Sequence, residues 1–162
     1  MNSPSTYAEW CDLLNEIEHS HADSAFIDKI RHGRDFLSNT ASKRFFRNVC
    51  DLVQRRVNNA QRAFQQQVDS AGSSSVIVSS AIKQLAKEYQ YVYRIVQEMP
   101  IQKTNKASLL RAICDQADQT QARLKQIAVR GRNESLVSLI YRSPVNMISS
   151  QSAQESLGED AE

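Results

Sequence analysis

A chain of 162 residues suits one domain and can bury a core without help from disulfides or metal. Its composition, 41% hydrophobic and 23% charged with four glycines and three prolines, argues against a turn-rich β-protein. The net charge of +2 excludes neither an acidic nor a basic partner, because the charges are segregated along the chain.

Residues 1–28 carry six acids and no base, residues 29–62 nine bases against two acids, and residues 100–132 seven bases against two acids. The last eight residues are acidic again. Such blocks fit either an anionic partner or acidic termini lying against a basic body.

The N-terminus lacks the basic and apolar regions of a secretory signal and the glycine of a myristoylation site. No apolar run approaches the roughly 20 residues that cross a bilayer. A cytoplasmic protein without membrane contact is therefore expected. Three widely spaced cysteines, Cys11, Cys50 and Cys114, form no disulfide framework and read as small, half-buried thiols.

Thr6-Tyr7-Ala8-Glu9 has the form of a capping box and predicts a first helix with Tyr7, Trp10, Leu14 and Ile17 on one face. Trp10 is expected to anchor that helix. The helix should end within Glu18 to Ala22, and a short second helix from Asp23 should carry Phe26, Ile27 and Ile30 to a C′ glycine, Gly33. Phe36 and Leu37 then read as a hydrophobic plug in a connection.

Ser38-Asn39-Thr40 offers N-caps for the longest helix, about 40 to 71, closed by Gly72. Its core stripe is Phe45, Val49, Val53, Val57, Ala60, Phe64 and Val68. After Gly72-Ser73-Ser74-Ser75 the chain reverses. Val78, Ile82, Leu85, Tyr89, Val92, Val96 and Met99 then recur at steps of 4 and 3, a helical stripe ended by Pro100. Flanking Ile77, Ala81 and Ile95 on one side, and Ala86 and Tyr93 on the other, widen its apolar arc to about 160–170°. A helix so apolar contacts two neighbours, which places it centrally.

Beyond a Pro100–Asn105 link, a further helix carries Leu110, Ile113, Ala117, Leu124 and Ile127 and stops near Gly131. A last short helix is expected from Asn133 to Arg142. The predicted fold is all-α: an up-down helical bundle of three long antiparallel helices with two or three shorter N- and C-terminal helices. Residues 1–148 form its single domain, followed by a disordered acidic tail over 149–162.

Little in the sequence carries chemistry. His19 and His21 sit beside Glu16, Glu18 and Asp23, but on a helix His-x-His points its rings about 200° apart, so a solvated connector is expected instead of a metal site. Ser80-Ala81-Ile82-Lys83 has Ser-x-x-Lys spacing without the other elements of an acyl-transfer site. Asn133-Glu134-Ser135 matches a glycosylation acceptor that matters only on secretion. Neither an enzyme nor a cofactor is expected.

Two surfaces stand out. Tyr91, projecting away from the central stripe near Lys87 and Arg94, reads as an exposed contact point for a partner. Arg44, Arg55 and Arg62 lie together on the longest helix, opposite Val53, and with Arg47 make a candidate anion or nucleic-acid contact, although Asp51 falls on the same face in an Arg47–Asp51–Arg55 ladder. The leading expectation is a non-catalytic interaction or regulatory protein acting through helix faces, with a protein partner or a second copy of itself as a homodimer. The alternative is nucleic-acid binding by the basic segments 29–62 and 100–132. Arginine outnumbers lysine thirteen to seven, and the forked guanidinium suits phosphate.

Overall fold

A computed structural model describes residues 3–34, 39–71 and 74–130. Among them there are five helices: α1 (Tyr7–His19), α2 (Ser24–Arg31), α3 (Asn39–Ala71), α4 (Ser75–Glu98) and α5 (Lys103–Arg130). The described residues contain no strand, and α3, α4 and α5 pack on one another as a helical bundle. No helix of the described residues is long and apolar enough to cross a membrane. The Phe36–Leu37 plug, the final helix 133–142 and the tail 149–162 lie outside the described residues.

Contacts divide the chain into two units. One comprises 1–58 and 91–110, the other 59–90 and 111–162. The boundaries fall within continuous helices, so each long helix contributes to both units.

In the first unit, α1 starts as the capping box predicts, with the Glu9 amide donating to Thr6 Oγ1 at 3.1 Å. The reciprocal bond is displaced by one residue, because the Glu9 carboxylate accepts from the amide and hydroxyl of Ser5. Leu13 joins Trp10, Leu14 and Ile17 on the buried face. Trp10 is 1% exposed, meets Phe45 of α3 edge to face at 5.6 Å, and donates from Nε1 to the Arg34 carbonyl at 3.0 Å. Asp23 caps α2 through its carboxylate, which accepts from the Ala25 amide.

Gly33 stands at the C′ position, but its φ is not left-handed. Its amide donates to Ile30 as in a Schellman motif, while the Arg34 amide turns away to the Pro4 carbonyl. The reason for glycine is space. A Cβ there would come within 2.6 Å of Trp10 Cη2 and 3.0 Å of Pro4 Cγ.

The second unit shows the antiparallel register of α3 and α4 directly. Gln67 bonds Gln84, and Gln61 bonds Tyr89, so position falls on one helix as it rises on the other. Burial on α4 begins at Ala81 and Ile82, one turn later than the sequence pattern implies. Ile77, expected beside the core stripe, lies in the first turn and is 44% exposed.

The link before α5 is shorter than its composition suggests. Ile101 is buried, the Gln102 carbonyl accepts from the Lys106 amide, and the helix begins at Lys103. The Lys106 ammonium reaches back to the Gln97 carbonyl at 2.8 Å and so satisfies the end of α4.

Candidate functional site

Tyr91 is not the exposed contact point that its helical position predicts. It is 8% exposed. Within the first unit, Arg56 of α3 lies over its ring at 4.9 Å, and its hydroxyl donates to the Asp23 carbonyl at 3.4 Å. The turn joining α1 and α2 covers the side of α4 that a three-helix reading leaves open. Tyr91 is buried there alongside the stripe residues Val92 and Val96 and the flanking Tyr93 and Ile95, while Arg94 stays exposed. Lys87, on the second unit's part of α4, is exposed as well.

Arg56 was one of the block of bases, yet it is 9% exposed. Its guanidinium donates to the carbonyls of Ile17 and Ser20, where α1 ends. Those carbonyls have no partner inside the helix, and the negative end of the helix dipole favours a cation there. The group is thus a structural cap, held by two acceptors and the Tyr91 ring.

The arginine face splits on inspection. Arg44 and Arg47 are exposed and make no ion pair with a described residue. Arg55 pairs with Glu18 of α1 and leaves Asp51, so the expected Arg47–Asp51–Arg55 ladder does not form. Geometry explains the choice: Glu18 is carried against α3 by the burial of Ile17 beside it. Arg62 is exposed and belongs to the second unit. Lys29–Glu16 and Arg31–Glu98 complete the pattern in the first unit. Part of the charge segregation is therefore internal complementarity, with Glu16 and Glu18 of α1 and Glu98 of α4 meeting Lys29, Arg55 and Arg31.

Two of the three histidines serve their own helices. His19 and His32 each direct Nδ1 at the carbonyl four residues earlier, Asn15 at 3.0 Å and Asp28 at 2.7 Å. Since a carbonyl only accepts, Nδ1 carries the proton in both rings. Among the described residues, no group of three or more histidine, cysteine or acidic side chains is placed to hold a metal ion.

Two polar clusters lie within the units. In the first, the Asn48 amide donates to Tyr7 Oη at 3.3 Å and approaches Cys11 Sγ at 3.9 Å. Partial burial, then Cys11, pushes the Tyr7 hydroxyl above its ordinary pKa, against a smaller opposing pull from Asn48 and Arg44. In the second, Gln61 donates to Tyr89 at 2.8 Å and Thr120 Oγ1 donates to the Gln116 carbonyl at 2.9 Å. The Tyr89 hydroxyl must then donate to Thr120 Oγ1, 3.0 Å away. This satisfied chain of donors in a buried layer fixes the register of α3, α4 and α5 within the second unit. No disulfide joins the three cysteines. Cys11 and Cys50 are half-buried, and Cys114 is fully buried.

One surface feature escaped the sequence pattern. Val76 is 77% exposed and Ile77 44%, the exposed large hydrophobic residues among those described. Both are β-branched residues two and three positions after the Ser74 cap, whose Oγ accepts from the Ile77 amide. Of the two, Ile77 is the one expected beside the core stripe.

No protein-family model matches this chain, and neither a curated protein nor a solved structure matches it.

Proposed function

We propose that the chain is a non-catalytic helical interaction protein, cytoplasmic and regulatory, that works through protein–protein contacts. The observation that supports this is the adjacent Val76–Ile77 pair, exposed in the first turn of α4 beside the Ser74 cap. Tyr91 drops out as the contact residue, because α1 and α2 bury it. The test is affinity capture from the source cell with wild-type protein and a Val76→Asp, Ile77→Asp variant as parallel baits. A partner retained by the first and lost by the second supports the proposal. Identical captured sets overturn it. Sedimentation of both proteins tests self-association through the same residues.

A second reading, nucleic-acid binding, rests on Lys43, Arg44 and Arg47, three exposed cations within two turns of α3 that make no ion pair with a described residue. Three phosphate contacts imply a loss of affinity of roughly 40-fold between 50 and 200 mM salt. Fluorescence anisotropy with duplex and single-stranded oligonucleotides measures this. The Arg44→Ala, Arg47→Ala variant should flatten the slope, and absence of binding at 50 mM salt overturns the reading.

A further inference from the structure

We infer that the solvent-facing stripe of α4 in the second unit is a docking strip for an acidic amphipathic helix of a partner protein; this rests on the interaction function proposed above. At 100° per residue, Val76, Ser80, Lys83 and Lys87 fall within an arc of about 60°, and Ile77 flanks it. Ser80, Lys83 and Lys87 are all exposed, as are Val76 and Ile77. Lys83 and Lys87 form no ion pair with a described residue. The arc from Lys83 to Ser80 carries no acid; Glu88 projects about 120° from Val76, on the Ile77 side and about three turns further along the helix.

The chemistry along the strip is ordered. An apolar pair occupies the first turn, and two cations follow about 10 and 16 Å further along the axis. A partner complementary to it buries apolar side chains at one end and sets carboxylates two to three turns away. Apolar contact supplies affinity, and the charge pattern selects the partner and its direction. A second copy of this chain is a poor occupant, since its α4 strip brings no carboxylate to Lys83 and Lys87 in either orientation and sets lysine against lysine when parallel.

The experiment uses the full chain and two labelled synthetic helical peptides. In one, a leucine pair is followed by glutamates seven and eleven residues on; in its twin, lysines replace the glutamates. Anisotropy at 50 mM salt should show the glutamate peptide binding at least ten-fold more tightly than the lysine peptide. Lys83→Glu with Lys87→Glu should reverse that preference, and Val76→Ser with Ile77→Ser should weaken both peptides. These positions are exposed, so circular dichroism should show unchanged folding. Equal affinity for both peptides, no binding of either, or no effect of the lysine reversal overturns the inference. A ten-fold gain on deleting residues 149–162 also overturns it, because the chain's own carboxylates would then be the occupant. If the capture experiment loses its partner with Val76→Asp and Ile77→Asp while the peptides do not discriminate, the interaction function stands and only the acidic partner is rejected.

Discussion

Replacing Gly33 with alanine tests the packing at the foot of α1 with a single methyl group. At a glycine whose φ is not left-handed, this change ordinarily stabilises a protein by about 0.4–1 kcal/mol, because the unfolded chain loses freedom. Here the sign should reverse. The new Cβ would sit within 2.6 Å of Trp10 Cη2, and the indole cannot retreat easily. It is 1% exposed, rests on Phe45, and is tethered through Nε1 to the Arg34 carbonyl. Overpacking of this kind costs about 1–3 kcal/mol, so Gly33→Ala should destabilise by that amount. Trp10 is the single tryptophan, so its fluorescence during urea unfolding reports stability and the local environment together.

A Trp10→Phe background removes the ring atoms that clash. Measured by circular dichroism there, the cost of Gly33→Ala should fall close to zero, a coupling of about 1–3 kcal/mol between the two sites. A Gly33→Ala protein as stable as wild type, or additive effects in the double variant, would refute the packing argument.

Four other outcomes are expected. Arg56→Met should lower stability by about 2–4 kcal/mol in denaturant unfolding, since it removes charged hydrogen bonds to two α1 carbonyls and the stack on Tyr91, and Arg56→Lys should recover less than half of that. Leu85→Ala, at a site 3% exposed, should cost about 2–5 kcal/mol by the same measurement. Thr120→Val removes the acceptor for the Tyr89 hydroxyl and should cost about 1–3 kcal/mol, whereas Thr120→Ser should be nearly neutral. Burial, then the Asp51 charge, raises the pKa of the Cys50 thiol, so its alkylation rate should rise with pH at a midpoint above that of a free thiol, and Asp51→Asn should lower that midpoint. The raised value also contributes stability that is full below the free-thiol pKa and is lost as pH rises through the native one.

Local pattern was enough to read the helices, because a stripe of period 3.6 and a capping residue act within a few turns of chain. Thr6, Asp23 and the stripe from Ile82 to Met99 are where such reasoning puts them. The same pattern indicates which face of a helix can be buried. It does not indicate how many neighbours arrive. That decided Tyr91: on its own helix it points away from the core stripe, and only the α1–α2 turn and Arg56 make that side an interior. Arg56 and Arg55 are adjacent in the chain, yet one caps a helix from inside and the other pairs with Glu18, a distinction set by the placement of the end of α1. Gly33 has the position of a helix terminator and is required instead by an indole twenty-three residues away. Val76 and Ile77 belong to an apolar run but lie in the first turn of α4, where both are exposed. In each case periodicity set what a residue could do, and contacts distant in sequence decided which of those possibilities the fold used.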